Sequence, residues 1–211
     1  MSDTKKIDKE YIVGTYARFP LEIVRGKGSL VYDENGKEYI DLGTGIAVNT
    51  FGVADDEITK AVTDQMNKFS HTSNLYYSEP CAKLAEQLCL RTGMKKVFFS
   101  NSGAEANECA IKVARKYAAD KKGADYYNII TLKNSFHGRT ITTLAATGQD
   151  VFHEMFTPLT EGFLYAEAND IASVEKLVKE NKCAAIMFEV VQGEGGVNPL
   201  KKDFVSALNE L

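Results

Sequence analysis

Ser102, Gly103 and Ala104 lie in the run Ser100-Asn101-Ser102-Gly103-Ala104-Glu105-Ala106-Asn107-Glu108, between a β-branched and aromatic segment and an amphipathic one. That layout is a strand delivering a small-residue turn to a helix N-terminus. Unpaired N–H groups and the helix dipole favour an anion there, and a glycine lets a phosphate approach the backbone. A Ser-Gly-Ala turn taken alone is more often only a tight connection. Two further clusters add other chemistry. Ser135-Phe136-His137-Gly138-Arg139-Thr140 offers a ring that can stack on a planar ligand and a guanidinium fork that matches a carboxylate. Glu189-Val190-Val191-Gln192-Gly193-Glu194-Gly195-Gly196 ends an apolar run with two carboxylates, which need partners if they point into a crevice. Each residue also has an ordinary reading: Phe136 as a core or loop aromatic, Arg139 as a surface arginine, Glu105 and Glu108 as first-turn acids favoured by the dipole. His137, a lone histidine beside a turn with no metal partner, reads as structural rather than catalytic.

The elements that must position these residues follow from periodicity. Ser29-Leu30-Val31-Tyr32 and Lys37-Glu38-Tyr39-Ile40-Asp41 flank Asp33-Glu34-Asn35-Gly36, a hairpin signal around an Asn-Gly turn. Asp55 is placed to cap a helix with Ile58, Ala61, Val62, Gln65 and Phe69 on one face. Ser78 with Pro80 opens another, bearing Cys81, Leu84 and Leu88 and closed by Gly93. From Val97 onward strand and helix alternate: Val97-Phe98-Phe99, a helix over 104–120, Asn128-Ile129-Ile130-Thr131-Leu132, a helix over 171–179, and a strand over 184–191. This rhythm predicts an α/β fold with a mainly parallel sheet covered by helices, and sites at the carboxyl ends of the strands. All three clusters fall at such ends.

In this order the three segments resemble the class III aminotransferases, pyridoxal-phosphate enzymes of the type I fold, and among them the acetylornithine-type members. The resemblance starts at Tyr16-Ala17-Arg18-Phe19-Pro20, continues through Gly43-Thr44-Gly45-Ile46-Ala47-Val48-Asn49 and reaches Gly196. It implies residues 1–54 as an N-terminal arm and hairpin of a small domain, and 55–211 as the first part of a cofactor-binding large domain. It implies that Ser102, Gly103 and Ala104 hold the phosphate of pyridoxal phosphate, that Phe136 lies against its pyridine face, and that Glu189 lies near the cofactor. It implies that Arg139 holds a substrate carboxylate, that Tyr16 and Arg18 close over the substrate end distant from the cofactor, and that Glu194 pairs with an arginine outside this sequence. The cofactor-bearing lysine and the Asp under the pyridine nitrogen are expected beyond Leu211, so Lys112, Lys133 and Lys182 receive no catalytic role. Val190 replaces a proline common in the family, and Val53 replaces a histidine.

The activity this implies is transfer of the terminal amino group of N-acetylornithine to 2-oxoglutarate in arginine biosynthesis, by a homodimer acting on amino-acid and 2-oxo-acid substrates. Ornithine, succinylornithine and 4-aminobutyrate are the rival amino donors. A chain that holds pyridoxal phosphate without turnover, or serves only in dimerisation, is the non-enzymatic alternative. Residues 1–211 alone are expected to be inactive and poorly soluble, because the sheet would keep open edges.

Composition agrees with an ordinary globular chain: 44% hydrophobic, 26% charged, net charge −4. The mildly acidic balance gives nucleic acid or an anionic membrane no electrostatic reason to bind. No apolar run reaches the ~20 residues of a membrane span, and the polar start is unlike a signal peptide, so a cytoplasmic location is expected. Cys81, Cys89, Cys109 and Cys183 lack metal or redox spacing and read as reduced core thiols.

Overall fold

An Asn-Gly turn organises the first part of the chain. The structure, a computed structural model, describes residues 3–211 and divides into two units, one ending at Leu84 and the other running from Ala85 to Leu211. In the first, α1 (Asp3–Tyr11) precedes β1 (Ile23–Lys27), β2 (Leu30–Asp33) and β3 (Glu38–Ile40), an antiparallel sheet in the order β1-β2-β3. Val31 pairs with Gly26 on one side and Tyr39 on the other. Asp33, buried at the turn, accepts from the backbone N–H of Asn35 and of Lys37, both at 2.9 Å, and from the Tyr39 hydroxyl at 3.1 Å. Burial pushes its carboxyl pKa up, but the N–H groups of Lys37 and Asn35 and the Tyr39 hydroxyl outweigh it and hold the pKa below the ordinary value. Gly36 takes the positive φ of 79° that the turn demands.

α2 (Asp56–Lys68) starts where Asp55 accepts from the N–H of Ile58 at 2.9 Å. α3 (Glu79–Thr92) starts at the predicted Ser78-Pro80 signal and stops at Gly93, whose φ is 74°. Neither helix contains a buried residue, and the apolar face of α2 is open, with Ile58, Val62 and Phe69 exposed.

The second unit carries the α/β rhythm. α4 (Gly103–Lys122) is capped by Ser102 and ended by Gly123 at φ 116°. It leads into β4 (Asn128–Leu132), the buried α5 (Ile141–Ala146), a short 3-10 turn over Asp150–Phe152, β5 (Phe163–Ala166), α6 (Ile171–Glu180) and β6 (Cys183–Ile186). The strands form a parallel sheet in the order β5-β4-β6. β7 (Val191–Gln192) and β8 (Asn198–Pro199) form a small antiparallel ribbon before α7 (Lys202–Leu208). Central β4 is covered on both faces, as a parallel sheet requires. Ile130 and Leu132 pack with Val174 of α6 and Phe204 and Leu208 of α7, whereas Ile129 packs with Ile111 of α4 and Ala146 of α5. The period-2 alternation of a strand sends successive side chains into these two layers.

Three expectations change. Residues 97–99 run without a ladder partner, and Phe98 and Phe99 are exposed; a strand is defined by its neighbour, and no described segment supplies one. The strand expected over 184–191 is broken, with β6 ending at Ile186 and the chain turning before β7. The cysteines are free thiols, but none is fully buried and Cys81 is exposed, because the α3 face that bears it is uncovered.

Candidate active site

The first turn of α4 is an open anion cradle. Ser102 Oγ accepts from the N–H of Glu105 at 3.2 Å, and the Glu105 carboxylate reaches back to the N–H of Asn101 at 2.6 Å. This variant of the capping box satisfies two backbone donors and leaves those of Gly103 and Ala104 without an acceptor among the described residues. A Cβ built on Gly103 would meet nothing within 4 Å, so the space over these N–H groups is free for a ligand. A phosphate oxygen fits this place: two convergent donors, a dipole of the right sign and no side chain in the way.

Residues 136–140 are fastened to that turn. Asn107 Nδ2 donates to the carbonyl of His137 at 2.7 Å, and Thr140 Oγ1 donates to Glu108 at 2.5 Å. Gly138, at φ 133°, passes so close that a Cβ would stand 2.6 Å from Thr143 Oγ1 and 2.8 Å from Ala104 Cβ. Thr140 and Thr143 form a reciprocal capping box that starts α5. Phe136 is half-buried, edge-on to Phe152 with ring centroids 5.6 Å apart. The Arg139 guanidinium lies 6.0 Å from the Phe136 ring and 5.6 Å from the Phe152 ring, and it pairs with no described carboxylate. It is exposed and available for an anionic ligand.

The segment after β6 closes over the carboxyl end of β4. Glu189 Oε2 accepts from the N–H of Phe136 at 2.9 Å, so this carboxylate fixes the backbone that carries the ring. Glu194 Oε2 accepts from Gln149 Nε2 at 2.7 Å, and the same amide nitrogen donates to the carbonyl of Ser135 at 3.1 Å. Gln192, buried, donates to the carbonyl of Lys133 at 2.8 Å.

The structure thus brings Ser102, Gly103, Ala104, Phe136, Arg139, Glu189 and Glu194 together in one unit. Tyr16 and Arg18 belong to the first unit; both are exposed, and Arg18 pairs with Asp8 at 3.3 Å. His137 is buried, its Nε2 meets no partner among the described residues, and burial pushes its pKa down to about 4. No local signal marked Gln149, which precedes the 3-10 turn, or Gln192, which lies in β7, as a residue that would hold the site together. Lys133 and Lys182 pair with Glu167 and Asp125. Among the described residues no group of acids, histidines and cysteines is placed to hold a metal ion, and no helix is long and apolar enough to cross a membrane.

The profile of the family described as aminotransferase class-III matches residues 12–211. The chain belongs to this family. As a class III member it is 52% identical over 207 residues to the acetylornithine aminotransferase of Haemophilus ducreyi, a match covering 98% of this chain and 53% of that one. It is 46% identical to the succinylornithine transaminase of Salmonella paratyphi A, over 100% of this chain and 52% of the relative. Among solved structures, the ornithine aminotransferase of Toxoplasma gondii superposes with a TM-score of 0.92 at 31% identity, covering 99% of this chain and 50% of that one. The N-acetylornithine aminotransferase of Stenotrophomonas maltophilia gives 0.79 at 37% identity, covering 97% and 49%. The class III chain therefore spans about half the length of the curated relatives it matches.

Proposed function

We propose that this chain is part of a pyridoxal-phosphate enzyme that moves the terminal amino group of N-acetylornithine to 2-oxoglutarate. The observation that carries the chemistry is the juxtaposition of the open first turn of α4 with the Phe136–Arg139 segment, packed at Gly138 against Ala104. The amino donor is supported by the acetylornithine aminotransferase of Haemophilus ducreyi, 52% identical over 98% of this chain. Ser102 shapes the turn, and Gly103 and Ala104 donate their N–H groups to the cofactor phosphate. Phe136 stacks on the pyridine ring, with Glu189 holding its backbone; an offset stack contributes about 0.5–1.5 kcal/mol and orients the ring plane. Arg139 takes a substrate carboxylate, Glu194 faces the substrate, and Tyr16 and Arg18 contribute to substrate binding from the N-terminal arm. When bound, pyridoxal phosphate supplies the electron sink for the carbanion formed at the amino-bearing carbon. Residues 1–54 fall to a small domain and 55–211 to the large one, in a cytoplasmic homodimer.

Succinylornithine is the second donor to test, because the Salmonella relative matches the whole chain. A polypeptide of the relatives' full length carrying this segment, loaded with pyridoxal phosphate, is titrated with acetylornithine, succinylornithine and ornithine while the visible absorbance of the cofactor is followed. Acetylornithine is expected to bleach the band at the lowest concentration and 2-oxoglutarate to restore it. A band indifferent to acetylornithine overturns the substrate.

A further inference from the structure

Ala104, Asn107 and Glu108 are spaced three and four apart on α4 and therefore share one face of the helix whose first turn is the anion cradle. Each meets a different residue of the segment 137–140. Ala104 Cβ packs against Gly138, where a side chain would not fit. Asn107 Nδ2 donates to the carbonyl of His137 at 2.7 Å, and the Glu108 carboxylate accepts from Thr140 Oγ1 at 2.5 Å. Arg139 lies between these last two attachments. Its exposed guanidinium makes only loose ring contacts, 6.0 Å from Phe136 and 5.6 Å from Phe152, so the place of the fork is set by the backbone that carries it.

Glu108 does more than tether that backbone. A carboxylate is an acceptor only, so it takes the single proton of the Thr140 hydroxyl. The lone pairs of the same oxygen are left to accept from the N–H of Thr143 at 3.4 Å and from the Thr143 hydroxyl at 2.7 Å. Thr143 Oγ1 in turn accepts from the N–H of Thr140 at 3.1 Å. The carboxylate thus orders both hydroxyls of the capping box that starts α5, directly after Arg139. Glu108 stands in the second turn of α4, past the first turn over which the dipole acts, so the dipole gives no account of its place.

We infer that Glu108 is a positioning residue for Arg139: through Thr140 it fixes the distance between the guanidinium that takes a substrate carboxylate and the cradle that takes the cofactor phosphate. This rests on the functional reading above. Glu108 touches neither ligand in this role. Phosphate and carboxylate are held at two points of one span, and a displacement of about 1 Å at Arg139 carries the amino-bearing carbon of the substrate out of line with the cofactor.

The test uses the full-length holoenzyme and two inert ligands. N-acetylnorvaline is acetylornithine without its reacting amino group, and N-acetylnorvaline amide also lacks the carboxylate. Isothermal calorimetry gives both dissociation constants, and their ratio reads the carboxylate contact alone. Glu108→Ala and Thr140→Val are each expected to lower the preference for the acid by about tenfold, the scale of a lost hydrogen bond to a charged group. Combined, they are expected to lower it no further than either alone. In an Arg139→Ala background, Glu108→Ala is expected to leave the ratio unmoved. Glu108→Gln and Thr140→Ser, which keep an acceptor oxygen and a hydroxyl, are expected to retain most of the preference.

Equal loss of acid and amide binding, as loss of the cofactor would give, overturns the inference and leaves Glu108 as a support of the fold. The same change of ratio in the Arg139→Ala background overturns it as well. If the unmutated holoenzyme binds the amide as well as the acid, or binds neither, the functional reading of Arg139 fails first and the inference falls with it.

Discussion

A methyl group added at Gly103 enters open space, whereas one added at Gly138 strikes Thr143 Oγ1 at 2.6 Å and Ala104 Cβ at 2.8 Å. Gly103→Ala is therefore expected to leave the thermal midpoint unchanged or raise it, since alanine is the better helix former by up to about 1 kcal/mol. It is expected to weaken pyridoxal-phosphate retention, read by equilibrium dialysis; unchanged retention would show that no ligand approaches the turn. Gly138→Ala is expected to destabilise by about 1–3 kcal/mol through overpacking and the disfavoured φ, read by denaturant unfolding. His137 adds a pH dependence. Its folded pKa of about 4 lies below the ordinary 6.5, so between those values the unfolded chain binds the proton and the folded chain does not. Stability is fully present above pH 6.5 and is lost as pH falls toward 4, by up to about 3 kcal/mol. His137→Asn should flatten that slope of unfolding free energy against pH, and an unaltered slope would assign the acid sensitivity to carboxylates.

Among the elements, β4 and the segment 97–99 are opposites. β4 has a strand on each side and helices on both faces, and Ile129 to Leu132 are almost fully buried. Residues 97–99, Val-Phe-Phe, are also apolar but have no ladder among the described residues. The far edge of β6 also has no partner strand among the described residues, and an apolar groove of about 260 Å³ between α4 and β6 is lined by Ile111, Ala114, Ala185 and Met187. Amide hydrogen exchange on the 211-residue chain, read by mass spectrometry, should be slowest across 129–132 and fast across 97–99. Equal protection would mean that 97–99 finds a partner strand in solution. Strand propensity was legible at both places because it is local; pairing was not, because it depends on which strand stands alongside.

For the whole molecule, large apolar side chains stand exposed in each unit, Phe19, Leu42, Ile46, Phe51, Leu75 and Tyr77 in the first and Phe98, Phe99 and Tyr117 in the second. Surface on this scale marks contact with further protein. Expressed as these 211 residues alone, the chain is expected to bind a hydrophobic dye and to associate as concentration rises in light scattering. A monodisperse monomer with no dye response would overturn this.

The three motif clusters, the Asn-Gly hairpin, the Asp55 and Ser102 caps and the alternation of strand and helix were determined by the sequence itself. Each depends on neighbours a few residues apart, through turn geometry, capping and period. Tertiary structure alone decided that Glu189 holds the backbone of Phe136, 53 residues away, and that Gln149 is the partner of Glu194. It also decided that Asn107 and Thr140 lock the loop to the helix and that the ring Nε2 of buried His137 meets no partner among the described residues. Those contacts join segments distant in the chain, and no local preference of either partner specifies which distant group it meets.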